Sequence, residues 1–182
     1  MGSGLTAKQK GLIKELNDIS SVIRMDYWDI EKHPKEKRSG RLEVMKRKAI
    51  TGHIIMQYTL IDEIMNLEIW AYFFSFGTSS KQWWSPTKFK KFNYYLLERL
   101  YLVQKLDIVK TFYGIPKEIV EDIRKLNEVR NAVAHAFSPE KSRGYKMRHK
   151  TVYKGKDIFT VEGIKVFVED MDRVTEFFFS RM

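Results

Sequence analysis

Residues 117–137 read KEIVEDIRKLNEVRNAVAHAF, and the spacing of their apolar residues decides the fold class. At about 100° per residue, these residues fall within one broad sector of a helix. They are Ile119, Leu126, Val129, Val133 and Phe137. An amphipathic helix must bury such a sector against other elements. We therefore predict that this stretch is a helix with one side in a protein core.

Apolar residues recur at helical spacing in four further segments, so the chain is predicted to be all-α. The predicted helices cover residues 5–31, 41–76, 85–113, 117–137 and 160–180, and the second is either one long helix or two nearly collinear ones with a kink at Gly52. They predict an up-and-down bundle of about five helices. A basic connector is expected over residues 35–41, after His33-Pro34. A short β-hairpin-like excursion around Lys154-Gly155 is expected before the last helix, with Thr160 as its N-cap.

The predicted domain organisation is a single helical domain over residues 1–182. Residues 138–160 are interpreted as a basic insertion in it, and residues 1–4 as a cloning remnant. The segment from Ile54 to Phe76 is interrupted by charged and amide side chains, so no membrane span is predicted.

Composition restricts the function. A net charge of +10 and a pI near 9.6 favour polyanionic partners, although a solvated lysine-rich surface has the same composition. The chain has no cysteine, which excludes disulfides, zinc-thiolate sites and cysteine nucleophiles. Its four histidines suggest no metal site, so neither a metal nor another cofactor is expected. The expected location is the cytoplasm.

The polar side of the helix over residues 117–137 carries the candidate chemistry. Asn131 and His135 are four residues apart, so they lie on one face, almost opposite Val133. Arg130 lies at the edge of the apolar sector, about 140° from His135, so only its long side chain would bring the two charges together. A polar stripe opposite a core is usually just the solvent-facing side of a helix.

The sequence Arg130-Asn131-Ala-Val-Ala-His135 resembles the signature of the HEPN superfamily (higher eukaryotes and prokaryotes nucleotide-binding). That signature has an Arg, a polar residue directly after it, and a His four to six residues beyond the Arg, late in a helical bundle. The resemblance is confined to this helix and the general architecture. The insertion and the long first helix match no particular branch of the superfamily.

The resemblance implies a metal-independent endoribonuclease that leaves 2′,3′-cyclic phosphate ends. His135 would be the general acid and base, Arg130 would hold the phosphate, and Asn131 would orient either the substrate or the other two side chains. It also implies a homodimer, in which two motifs meet in one cleft. Since a free ribonuclease harms its host, a toxin or phage-defence role with an antitoxin protein is expected.

Two alternatives remain open. One is a catalytically inactive HEPN-like module, since mannitol-repressor-like dimeric regulators have a similar motif. The other is a plain helical interaction protein with ordinary surface contacts at Arg130 and His135.

The basic insertion contains candidate RNA-binding residues in which cations alternate with tyrosines that bases can stack on. They are Tyr145, Lys146, Arg148, Lys150, Tyr153 and Lys154. An ordinary charged loop would have the same composition. His53 is predicted to be a packed or hydrogen-bonded residue of a helix, not a catalyst.

Overall fold

The computed structural model describes residues 7–22, 27–74, 87–135 and 151–181. In that part of the chain there are six α-helices, two short 3-10 helices and one two-stranded antiparallel hairpin, which confirms the predicted all-α class and the hairpin before the last helix. The α-helices are α1 Ala7–Val22, α2 Lys35–Phe74, α3 Thr87–Tyr95, α4 Leu102–Phe112, α5 Lys117–His135 and α6 Val161–Phe179. The 3-10 helices are Tyr27–Lys32 and Leu97–Arg99, and the strands are β1 Val152–Tyr153 and β2 Lys156–Asp157.

The chain divides into two compact units, residues 1–49 and residues 50–182. The first unit contains α1, the 3-10 helix Tyr27–Lys32 and the beginning of α2, and the second contains all later elements. Each unit is described by itself.

The core of the second unit is formed by α2, α4, α5, α6 and the hairpin. Its fully buried members include Ile61, Met65, Leu106, Val109, Ile123, Leu126, Phe167 and Met171. Each such side chain contributes about 1.5–3 kcal/mol when it leaves water. The candidate motif on α5 is therefore held by packed helices.

The prediction of one helix over residues 85–113 is wrong. Leu100 and Tyr101 have extended backbones, with ψ of 136° and 154°, and they separate the 3-10 helix from α4. Leu97 and Leu102 are both fully buried, although an uninterrupted helix would place them about 140° apart. The break lets both enter the core. Tyr101 N–H donates to Gln104 Oε1 at 2.8 Å and so has a partner at the new helix start.

Two predicted boundaries near the N-terminus also need correction. The first predicted helix, over residues 5–31, is described as α1 followed by the separate 3-10 helix Tyr27–Lys32. The predicted connector over residues 35–41 is helical, because α2 already begins at Lys35. Lys37 N–H donates to Pro34 C=O at 3.0 Å, so the proline starts the helix and its missing N–H costs nothing there. The helix runs on through Gly52 to Phe74.

Local chemistry fixes the hairpin and the start of α6. Lys154 and Gly155 form the turn with φ of 45° and 83°, a left-handed conformation that glycine adopts without strain. Thr160 then caps α6 by accepting from Gly163 N–H at 3.1 Å, as predicted. Gly163 lies so close to the hairpin that a Cβ atom there would overlap the carbonyl of Asp157. The hairpin is thus pressed against the first turn of α6.

Candidate active site around Arg130

The structure confirms the predicted orientation of α5. The apolar residues Ile119, Leu126, Val129 and Val133 are buried. Arg124 and Glu128, on the opposite side, are exposed. Phe137, the last residue of the predicted apolar sector, lies outside the described residues. The motif thus begins on a helix whose orientation about its own axis is fixed by the packing of its buried side.

Arg130 is half-buried between an aromatic ring and an amide. Its guanidinium carbon lies 5.0 Å from the centre of the Tyr58 ring of α2. Its Nη1 donates to Asn131 Oδ1 at 3.1 Å, and Asn131 is also half-buried. A cation above a ring face is attracted by the quadrupole of the ring. Two contacts therefore hold the guanidinium in place, and neither neutralises its charge.

The lack of a described carboxylate partner distinguishes Arg130 from three other cations of the second unit. Lys105, only 1% exposed, pairs with Asp62 at 2.6 Å. Lys154 and Arg173 pair with two buried carboxylates. In the described part of the chain, no Asp or Glu forms an ion pair with Arg130. No described carboxylate therefore competes with an anion for its positive charge.

Tyr58 is a neutral platform for this cation. Burial raises the pKa of its hydroxyl, and the nearby Asp62 carboxylate raises it further. A hydrogen bond with the backbone of Leu102 and the charge of Arg130 lower the pKa by less, so the hydroxyl stays protonated at neutral pH. Sequence analysis did not identify Tyr58, because 72 residues separate it from Arg130 and only the packing of α2 on α5 brings them together.

His135 is the last residue of α5, so its backbone continues the helix one turn beyond Asn131. Its side chain lies outside the described part of the structure. The roles of the imidazole and its approach to Arg130 therefore remain predictions.

Four of the predicted RNA-binding residues, Tyr145, Lys146, Arg148 and Lys150, lie outside the described residues. The prediction that Tyr153 binds RNA is wrong, because the residue is 0% exposed and its ring has no free face on which a base could stack. Its hydroxyl donates instead to Asp170 Oδ2 at 2.9 Å. Lys154 is engaged too, with Nζ 2.8 Å from Asp122 Oδ1 and 2.6 Å from Asp170 Oδ2.

These contacts belong to a buried ion network that ties the hairpin to α5 and α6. Asp122 and Asp170 are 2% and 5% exposed, and Lys154 and Arg173 each bridge the two carboxylates. Burial alone would raise the pKa of Asp170. Hydrogen bonds from Lys154, Tyr153 and Arg173 outweigh that effect, and the pKa is lowered.

The network also changes the titration of its other members. Burial and the neighbouring carboxylates raise the pKa of Tyr153. Burial lowers the pKa of Lys154, but the hydrogen bonds and charges of the two carboxylates outweigh this effect and the pKa is raised. The hydrogen bond with Asp122 is the main reason why the pKa of Arg173 is raised. The network borders a groove of about 1090 Å³ between α5 and α6. Both carboxylates are paired, so the removal of one partner would leave a buried uncompensated charge, and we assign the network a structural role.

The ion network was not predicted, although the sequence contains a signal of it. Asp122 and Asp170 both fall within the apolar sectors of their helices, beside Ile119 and Phe167 respectively. A carboxylate in a core sector requires a buried partner, because its desolvation is otherwise too costly. The sequence could have predicted that cations approach these positions, but not which cations.

His53 is packed, as predicted. It is half-buried, with its ring edge-on to Phe167 at 6.3 Å between centroids. Within the described part of the chain, its buried Nε2 has no hydrogen-bond partner.

Among the described residues, no group of three or more His, Cys, Asp or Glu side chains is placed to hold a metal ion. Within the same ranges, no helix is both long and apolar enough to cross a membrane. No protein-family model, no curated protein and no solved structure matches this chain.

Proposed function

We propose that the chain is a metal-independent endoribonuclease of HEPN type, in which Arg130, Asn131 and His135 act on RNA. The observation that supports this most directly is the state of Arg130, whose guanidinium is held by Tyr58 and Asn131 without an ion pair among the described carboxylates. A positioned, partly desolvated and uncompensated guanidinium is suited to bind a phosphodiester.

In the proposed reaction, the ribose 2′-hydroxyl attacks the adjacent phosphorus while an imidazole accepts its proton. The bond from phosphorus to the 5′-oxygen breaks, and the leaving oxygen takes a proton from an imidazolium. The products are a 2′,3′-cyclic phosphate and a 5′-hydroxyl. His135 carries out the proton transfers, because a reference pKa near 6.5 makes both protonation states accessible at neutral pH.

Arg130 stabilises the negative charge that builds up on the phosphate during the attack. A preorganised donor of this kind typically contributes about 10²–10³ in rate. Asn131 uses Oδ1 to hold Arg130, which leaves its two amide N–H groups to orient the phosphate.

A homodimer would bring a second copy of the motif to the same cleft. On this proposal the enzyme acts in the cytoplasm as a toxin or phage-defence effector, and an antitoxin protein restrains it. These parts rest on the resemblance of the motif to the HEPN signature.

The decisive experiment incubates the purified chain with RNA in the presence of a chelator. We expect cleavage by the unmodified protein and 2′,3′-cyclic phosphate ends on the products. His135→Ala should lower the rate by about 10²–10⁴, the typical contribution of general acid–base catalysis. Arg130→Lys should also be impaired, because an ammonium cannot grip a phosphate with two parallel hydrogen bonds.

Lys125→Ala is the control, because Lys125 is an exposed cation of the same helix, lies about 120° from Asn131 around it, and forms a surface ion pair with Glu128. It should cleave RNA at the unmodified rate. A folded protein that binds RNA or a partner without cleaving it would contradict the enzymatic proposal and favour the inactive, mannitol-repressor-like regulatory module. Cleavage that survives His135→Ala would contradict the assignment of the catalytic base.

A further inference from the structure

The first unit carries a strongly basic helical segment. Residues 35–49, which begin α2, contain seven lysines and arginines and only two glutamates. Its first residues, 35–41, were predicted from the sequence to be a connector. Because it is a helix, its cations have fixed positions relative to one another.

Three of these cations form a stripe. Lys37, Arg41 and Lys48 are separated by four and seven residues, so they lie within about 40° of one another around the helix and span roughly 16 Å along it. They line a shallow depression of about 570 Å³, together with Gly40, Val44 and Met45. None of the described residues that line it is acidic.

The two glutamates of the segment lie on other sides of the helix. Glu43 pairs with Lys46 at 2.7 Å and with Arg47 at 3.2 Å, which neutralises cations away from the stripe. Arg41 contacts no described carboxylate; its Nη1 lies 3.2 Å from His33 Nε2. Among the described residues, the carboxylate of Glu43 thus lies away from the depression, whose described lining carries three cations.

The start of the helix is also anchored. Arg38 donates through Nε to the carbonyl of His33 at 2.8 Å and through Nη2 to that of Glu31 at 2.5 Å. These bonds attach the basic segment to the 3-10 helix Tyr27–Lys32, which it follows. The stripe is thus presented by a fixed backbone.

We propose that Lys37, Arg41 and Lys48 form a binding site for the phosphate backbone of single-stranded RNA, separate from the phosphate grip of Arg130. Cations in a line suit a linear polyanion, because each phosphate contact releases a condensed counterion. A helix that lies on an anionic membrane needs a broad apolar face beside its cations. Here Val44 is the exposed large apolar residue of the stripe. RNA as the ligand rests on the proposed function.

The test measures binding of a fluorescent single-stranded RNA to the full chain carrying His135→Ala, by anisotropy over a range of salt concentrations. In that background, Lys37→Ala/Lys48→Ala removes two charges from the stripe. Lys35→Ala/Lys46→Ala removes two exposed charges from the opposite side of the same helix and is the matched control.

The stripe pair should weaken binding at low salt and reduce the slope of log K against log salt by about 1.4, which is 0.7 for each lost contact to a single strand. Between about 50 and 200 mM salt, the ratio of the parent's binding constant to that of the stripe pair should fall roughly sevenfold. The control pair should bind almost as the parent does.

Equal weakening by both pairs would overturn the proposal, because net charge alone would then explain binding. So would an unchanged stripe variant, or a stripe that binds phosphatidylserine vesicles but not RNA. The readout is independent of catalysis. If the unmodified protein does not cleave RNA, the ribonuclease proposal fails while the binding result still stands. If it cleaves RNA and the stripe pair has no effect, only the present inference fails.

Discussion

Replacement of Tyr58 tests whether the ring beneath Arg130 holds the guanidinium for substrate. Tyr58→Leu removes the ring face but keeps an apolar side chain, whereas Tyr58→Phe keeps the ring and removes only the hydroxyl. At 5.0 Å from the ring centre, the contact lies within the range of a cation–π interaction. The two variants therefore separate the effect of the ring from that of its hydroxyl.

The expected magnitude follows from the burial of the two partners. A cation–π contact contributes about 0.5–1 kcal/mol at an exposed site and about 2 kcal/mol when desolvated. Arg130 and Tyr58 are both half-buried, so about 1 kcal/mol is expected. With about 1.4 kcal/mol for each tenfold change, Tyr58→Leu should lower kcat/KM roughly fivefold.

The loss in kcat/KM of Tyr58→Leu should be divided between KM and kcat in a defined way. The ring positions Arg130, which binds the phosphate of the bound RNA and also stabilises the charge that develops on it during the attack. Tyr58→Leu should therefore raise KM and lower kcat, and the two effects together should account for the loss in kcat/KM. Tyr58→Phe should stay within about twofold in both constants, because the cation–π contact depends on the ring.

The assay is steady-state cleavage of a short RNA below the melting temperature of each variant. Circular dichroism should first show that both variants remain helical. The same comparison of RNA affinity in the His135→Ala background gives a readout without catalysis. A folded Tyr58→Leu protein with unchanged KM and RNA affinity would refute the positioning role.

Two further predictions concern stability, each measured by denaturant unfolding. Gly163→Ala should destabilise the protein by about 3 kcal/mol, the upper end of overpacking costs, because its Cβ would overlap the carbonyl of Asp157. Gly52→Ala is the control, because Gly52 is an exposed residue in the middle of a helix and no atom lies within 4 Å of the added Cβ. This control should stabilise the protein by up to about 1 kcal/mol. Equal effects at both sites would contradict the close approach of hairpin and helix. Burial raises the pKa of Glu68 above its ordinary value, so the folded protein binds this proton more tightly than the unfolded chain does. The resulting contribution to the free energy of unfolding is fully present below the ordinary pKa and is lost as the pH rises through the pKa of the folded state. Glu68→Gln should therefore be more stable than the unmodified protein at pH 7 and show little difference near pH 4, and an equal midpoint at pH 7 would count against this reasoning.

The elements predicted best are those that short-range chemistry specifies. The turn at Lys154-Gly155, the Thr160 cap and the buried side of α5 each depend on residues within a few positions of one another. Turn dihedrals, caps and helical periodicity act over one or two turns of chain, so a single sequence contains them.

The errors arose where local signals were absent. Nothing near Leu100 resembles a helix breaker, and the break follows from the need to bury Leu97 and Leu102 together. Residues 35–41 resembled a connector because a highly charged segment has no apolar period, yet they form the first turns of α2.

By itself, the sequence determined the helical class, the amphipathic α5 and the motif beginning at Arg130-Asn131. Only the tertiary structure decided that Arg130 lies on Tyr58 without an ion pair to a described carboxylate, while Lys154 and Arg173 are neutralised by Asp122 and Asp170. The physical reason is that the availability of a charge depends on the groups that folding brings within a few ångströms. The Tyr58 ring is 72 residues from Arg130 along the chain, and the Asp122 carboxylate is 51 residues from Arg173.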